Sequence, residues 1–262
     1  MVSQPVLDQI KEHALTLDWD KAFGGKSKGN QHLSRVVRNA LFIASKEGAI
    51  PEICEAGAWL HDIGLIAGND NEPAKIRAIA EEFLAQLPLD KESQRSIAHC
   101  VETHEGGVQA TTIEAKVVHD ADVLDKLGLL GIIRHTWKVI NLIQPDAQPE
   151  ELFITLQKHL YERHHSLYTT TAKRLALVQI AAMDRFFQDE QRARALIKKV
   201  SGLAKKGMIS DEIAKVLLRE DDIPGLAQQL YFTGETLEWC YTRGAVKSEN
   251  EPTLLSQGTY PQ

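Results

Sequence analysis

Three stretches of the chain set histidine and aspartate into helical surroundings: "HLSRV" at 32–36, "HDIG" at 61–64 and "DADVLDKLG" at 120–128. Imidazole nitrogen and carboxylate oxygen together form a donor set that first-row divalent metals accept. Two imidazoles and two carboxylates bring a dication close to neutrality. Four such ligands also leave coordination positions open for water or substrate, the mark of a catalytic site rather than a structural one. The chemistry therefore depends on whether His32, His61, Asp62 and Asp122 face one interior.

In an α-helix each residue advances by about 100°, so positions four, seven and eleven apart share a stripe. His32 lies with Val36 and Ile43, and His61 with Cys54, Gly57 and Ala58, a stripe of small residues that lets another helix approach closely. Asp122 lies with Ala115, Val118 and Leu129, and His104 with Ile97 and Val101, whereas His99 points well away from His104. Each has an ordinary explanation on its own: a satisfied core histidine, a solvated carboxylate at a helix end, an aspartate paired with Arg or Lys. Buried together, each would need a partner of its own, because an unpaired buried carboxylate is costly. One divalent cation serves all four.

The elements that must position these groups read as helices throughout, so the fold class is all-α. Helical periodicity predicts segments at 5–17, 31–46, 51–62, 74–86, 90–104, 129–143, 149–165, 171–200, 210–219 and 224–241, with a loop at 65–73. Pro51 and Pro149 suit first turns, and Gly48 and Gly64 suit helix ends. Thr111 and Glu114 have capping-box spacing ahead of "AKVVHDADVLDKLG". The histidines end upstream of residue 190, which divides the chain into a functional domain at 1–190, a helical appendage at 191–245 and a polar, mobile tail at 246–262.

Composition narrows the function classes. The 262 residues are 43% hydrophobic and 25% charged, as in an ordinary globular protein. A net charge of −6 offers no basic field for non-specific nucleic acid or anionic lipid. Cys54, Cys100 and Cys240 form no C-x-x-C pair and read as small buried residues of a reducing compartment. The N-terminus lacks an apolar signal core, and no stretch approaches the roughly 18 apolar residues of a membrane span. A cytoplasmic protein is expected, and homo-oligomerisation is compatible with the composition.

The three motifs, in this order, resemble the H…HD…D signature of the HD-domain metal-dependent phosphohydrolases. "GIIRHTW" at 131–137 and "LYERHHSLYTTTAKRLA" at 160–176 are similar to segments of small bacterial HD hydrolases, including nucleotide pyrophosphohydrolase-like members. The resemblance covers roughly residues 20–190 and implies an HD-type helical bundle. It implies His32, His61, Asp62 and Asp122 as metal ligands, with Asp122 rather than Asp120 as the aspartate of the A-D-x-L core. Asp120 and Asp125 then become partners that orient the ligands, and His104 in "CVETHEGG" matches a histidine that binds a second metal or faces substrate. The chain departs from many relatives at Lys28, where they carry histidine, and in having only His99 as a histidine between Asp62 and Cys100. One metal ion is therefore expected: Mn, Fe, Co, Ni, Zn or Mg. The Gly-Tyr-Pro signature of cyclic dinucleotide phosphodiesterases is missing after "HEGG".

The resulting expectation is hydrolysis of a phosphate ester or anhydride in a nucleotide or other small phosphorylated metabolite. A metal-activated water attacks, Asp62 and His104 are the catalytic groups, and Arg35, Lys75, Arg134 and Arg163 are candidate substrate cations. Two alternatives stand beside it: a di-iron oxygenase of the same superfamily, and a non-catalytic nucleotide-binding module. The loop "GGKSKG" fails the phosphate-loop spacing, which needs glycine where Asp20 stands, and reads as a flexible basic lid beside the site.

Overall fold

The structure, a computed structural model, describes residues 2–67, 72–220 and 226–230, with residues 234, 237–238 and 240–242. The helices are α1 (Gln4–Asp20), α2 (His32–Glu47), α3 (Pro51–Leu60), α4 (Pro73–Leu84), α5 (Lys91–Thr103) and α6 (Ile113–Asp125). They continue as α7 (Gly128–Lys138), α8 (Pro149–His165), α9 (Thr170–Gln188), α10 (Glu190–Lys205), α11 (Ser210–Glu220) and the short α12 (Leu226–Leu230). No strand occurs among the described residues, and none of their helices is long and apolar enough to cross a membrane.

Local chemistry sets most boundaries. Prolines open α1, α3, α4 and α8, where a missing N–H costs nothing. Side chains of Asp90, Thr112, Thr169 and Asp189 accept backbone N–H groups at the starts of α5, α6, α9 and α10. Gly48 ends α2 in the left-handed region, its N–H donating to the carbonyl of Ala44.

Three expectations change. The cap of α6 is Thr112 rather than Thr111, and the Glu114 carboxylate accepts from the backbone N–H of Ile50 instead of closing a capping box. The span expected as one helix at 171–200 breaks at Asp189, whose side chain starts a new helix by accepting from Arg192 N–H at 3.0 Å. The helix expected to run through Asp62 stops at Leu60 and tightens into a 3₁₀ turn, His61–Ala67. The expected helix at 224–241 is described in part, and the tail at 246–262 lies outside the described residues.

At the centre, α2 packs on α3 and α6, while α5 packs on α3, α4 and α6. At Gly57 α3 packs tightly on α5 and α6: a Cβ there would lie 2.7 Å from Cys100 Cβ and 3.2 Å from Val118 Cγ2. The stripe Cys54–Gly57–Ala58 thus draws α3 deep against its neighbours and carries His61 inward at its end. Gly57→Ala should cost about 1–3 kcal/mol, as overpacking a filled core does. Urea unfolding checks this, and an unchanged midpoint would mean that the crossing can relax.

α10 packs on α7 and α8, and α11 and α12 on α7. Gln229 in α12 reaches the turn between α6 and α7, accepting from Leu130 N–H and donating to the Leu127 carbonyl. The turn residue Gly128 has φ +67°, and a Cβ there would collide with the Gln229 side chain.

Candidate metal centre

His32 at the start of α2, His61 after α3 and Asp122 in α6 bring ligand atoms within 4.8 Å of one another. The two Nε2 atoms face each other at 3.1 Å. Asp62 Oδ2 lies 3.4 Å from both, and Asp122 Oδ1 lies 3.3 Å and 3.6 Å from His32 and His61. The four residues thus meet in one place, His61 and Asp122 fully enclosed and the side chains of His32 and Asp62 6% and 14% exposed.

The far side of each ring fixes its tautomer. His32 Nδ1 is 2.7 Å from Asp125 Oδ2, and His61 Nδ1 is 2.8 Å from the Ala58 carbonyl. Each Nδ1 carries the proton it donates, so each Nε2 turns a lone pair toward the other and toward two carboxylates. Asp122 Oδ1 is buried without a hydrogen-bond partner among the described residues. Such a cluster of electron pairs needs a cation among them. Nitrogens about 2.1 Å from a shared metal and at right angles to one another lie about 3 Å apart, which is the separation found here. The donor set, its enclosure and its spacing fit a divalent metal. Without a metal a proton on His61 Nε2 takes the cation's place: burial opposes charge on His61, yet Asp62 and then Asp122 lift it to about 9, and both carboxylates are held well below the ordinary range despite burial.

The other expected site residues separate. Asp125 binds His32 Nδ1 and also accepts from Arg35 Nε at 2.6 Å and Arg134 Nη1 at 2.5 Å. Arg35, expected among the substrate cations, is instead 1% exposed and locked between Asp125 and Asp211, so no substrate can reach it. Asp120 does not orient the histidines. It accepts from Tyr168 N–H, Thr169 N–H and Thr169 Oγ1 and ties α6 to the start of α9. His104 is buried beside His61, ring centroids 5.2 Å apart, its Nδ1 on the Val101 carbonyl and its Nε2 unpartnered among the described residues. Its Nε2 lies 4.0 Å from Oε1 of Glu105, which borders the cavity described below. Lys75 is an exposed residue of α4 paired at 3.8 Å with Glu72.

Beside the ligands opens a cavity of about 700 Å³, with His32 and Asp62 in its wall. Five cations line it: Lys21, Lys126, Arg134, Lys138 and Arg163. Sequence reasoning missed Lys126, which bridges Asp122 Oδ2 at 2.6 Å and Glu105 Oε1 at 2.5 Å; its signal was the i,i+4 spacing Asp122–Lys126. Arg163 holds the other oxygen of Glu105 at 3.1 Å. His135 and His159 stack at 4.0 Å on the same wall and remain neutral, pushed down to about 3 and about 4 by burial and neighbouring positive charge. Phe23 and Trp137 meet edge to face and give the cavity an aromatic side. Phe23 and Gly24 belong to the Gly/Lys-rich loop expected beside the site, and the backbone there turns through the left-handed region.

Asp18 also lines this cavity, its Oδ2 unpartnered among the described residues. Burial, then the charge of Asp62, push its carboxyl up to about 6. A carboxyl that binds its proton more tightly when folded imposes a penalty that is absent below about pH 4, grows as pH rises toward 6 and is complete above it. Asp18→Asn in the metal-free protein should therefore raise stability by about 2 kcal/mol at pH 7 and leave it unchanged near pH 3.5. Denaturant titrations at the two pH values decide, and an equal gain at both would contradict the assignment.

Comparison with known proteins agrees with this geometry. The HD domain family matches residues 30–127, a span that holds all four clustered residues. The uncharacterized protein YpgQ of Bacillus subtilis (strain 168) is 29% identical over 109 residues, 39% of this chain and 53% of YpgQ, so the match spans about half the length of that relative. A solved structure from Lactobacillus plantarum is similar at TM-score 0.57 and 27% identity, covering 73% of this chain and 97% of that one. The crystal structure of YpgQ in complex with ADP is similar at TM-score 0.51 and 21% identity over 86% and 99% of the two chains. An HD-superfamily hydrolase of Bacillus thuringiensis is similar at TM-score 0.52 and 22% identity over 71% and 97%. Residues 30–127 thus resemble the HD domain family in sequence, and the chain shares an all-helical fold with these solved structures.

Proposed function

We propose that this protein is a divalent-metal-dependent phosphohydrolase acting on a nucleoside phosphate or a related small phosphorylated metabolite. The observation that carries the reading is the meeting of His32, His61, Asp62 and Asp122 with two imidazole lone pairs 3.1 Å apart at the wall of a cation-rich cavity. His32, His61, Asp62 and Asp122 would hold the metal. A bound dication supplies a Lewis acid for a phosphoryl oxygen and makes water a nucleophile near neutral pH.

The chain's own groups account for the rest. Lys126, Arg134 and Arg163 offset the charge of the phosphates, each steadied by an acidic partner that keeps it in place. Asp62, the most exposed of the four clustered residues, orients the attacking water from the cavity side. Phe23 and Trp137 offer a face to a planar ring, and the neutral His135–His159 stack presents polar nitrogen without adding charge. YpgQ, crystallised with ADP, is consistent with a nucleotide ligand in a fold of this kind.

The test is a panel of nucleoside mono-, di- and triphosphates and simple phosphate monoesters, offered to protein stripped with EDTA and reloaded with Mn²⁺, Co²⁺, Ni²⁺, Zn²⁺, Fe²⁺ or Mg²⁺. Metal-dependent release of phosphate or pyrophosphate is expected. Tight metal binding with no turnover of any phosphate compound would overturn the hydrolase reading.

A further inference from the structure

We infer that Asp211, in α11 and outside the span matched by the HD domain family, is a positioning residue for the proposed metal ligand His32. The inference rests on the metal reading above. A continuous buried chain of charged hydrogen bonds connects the two. Asp211 Oδ2 accepts from Arg35 Nη1 at 2.8 Å, and its Oδ1 lies 3.3 Å from Arg35 Nη2. Arg35 Nε donates to Asp125 Oδ1 at 2.6 Å. Asp125 Oδ2 in turn accepts the Nδ1 proton of His32 at 2.7 Å, leaving Nε2 bare toward the cluster. Asp211, Arg35 and Asp125 are 2%, 1% and 5% exposed, so water does not substitute for any link.

Each link is orienting. A guanidinium held in its plane by a carboxylate on each side presents Nε in one direction only. That direction seats Oδ1 of Asp125 on Nε and turns Oδ2, which Arg35 Nη2 at 3.4 Å and Arg134 Nη1 at 2.5 Å also contact, toward His32, and so sets the tilt of the imidazole. Asp211 has a second hold on the same ligand, because its Oδ2 also accepts the backbone N–H of Gln31, the residue immediately before His32. Asn30 Oδ1 closes the contact from the other direction, accepting from Ser210 Oγ at 2.9 Å and lying 3.3 Å from Asp211 N. The start of α2 is thus gripped by the start of α11, and the helices beyond residue 190 join the metal centre rather than standing apart from it.

The full-length protein tests this with Mn²⁺ titration and with the visible absorption of the Co²⁺-loaded form. Removing an outer partner of a ligating histidine typically weakens metal binding by about 10–100-fold. Asp211→Asn, near-isosteric and uncharged, should lose Mn²⁺ affinity by about that factor and change the position or intensity of the Co²⁺ ligand-field bands. A charge effect alone would weaken binding without altering the bands. Should Asp211→Asn fail to fold, the apolar pair Arg35→Met/Asp211→Leu removes both charges together and should show the same loss. A folded variant with unaltered affinity and bands overturns the inference. Absence of Mn²⁺ and Co²⁺ binding in the unsubstituted protein would instead overturn the metal reading on which it stands.

Discussion

Asp122→Asn is expected to lower metal-dependent phosphate release by about 10³-fold or more and to abolish tight Mn²⁺ binding, with the chain still folded. Asp122 is fully buried, and its Oδ1 meets no hydrogen-bond donor of its own among the described residues, although it lies among the histidine nitrogens. In the proposed metal centre this oxygen supplies negative charge to the cation while Oδ2 pairs with Lys126, and an amide of the same shape cannot supply that charge. A loss of that size is what removing a metal's Lewis-acid and water-activating contribution entails. Lys126 retains Glu105 as a partner in the variant, so the substitution does not strand a buried ammonium. Steady-state turnover with Mn²⁺, alongside metal titration and far-UV circular dichroism, gives the answer. A folded Asp122→Asn protein with more than a tenth of the original turnover would remove the metal centre from the reaction.

The largest effect on stability belongs to Arg35. Arg35→Met leaves Asp125 and Asp211 buried and facing a thioether, and breaking a buried ion pair from one side costs about 3–5 kcal/mol. Asp125 keeps Arg134 and His32 nearby, whereas Asp211 keeps only backbone and helix-start contacts, so most of the penalty falls on Asp211. For a chain of this length the midpoint of thermal unfolding should fall on the order of 10 °C. Adding Asp211→Leu should recover a substantial part, because it removes the stranded charge. No recovery in the double variant would show that the loss comes from packing of the long arginine side chain. This outcome also separates Arg35 from the cavity cations Arg134 and Arg163, whose removal should weaken binding of the proposed substrate and lower the melting point less, because Asp125 and Glu105 each keep a second cation.

How much of this could be read from the amino acids follows from the range of each interaction. The helices were legible because their signals are local: Pro51 and Pro149 in first turns, Gly48 at a helix end, and apolar residues recurring every three to four positions. The convergence of His32, His61, Asp62 and Asp122 was legible for a related reason. His32 and Asp122 sit on the apolar stripes of their own helices, His61 follows the small stripe of α3 with Asp62 beside it, and stripes of that kind are buried against one another. Gly57 shows the link in one residue, since its missing side chain is both a feature of the stripe and the contact that seats α3 on α5. Where local signals competed, as between Thr111 and Thr112 or along 171–200, a shift of one residue or one aspartate decided.

Partner choice was another matter. Arg35, Arg134 and Arg163 look alike in the chain, yet Arg35 is enclosed by Asp211 from 176 positions away while the other two border the cavity. Asp120 and Asp125 stand five positions apart on α6 and serve different neighbours, Thr169 and His32. A sequence specifies which faces of a helix avoid water, because that depends on residue type and a period of 3.6. Which charged group meets which depends on where distant helices come to rest, and those positions arise only when the whole core closes.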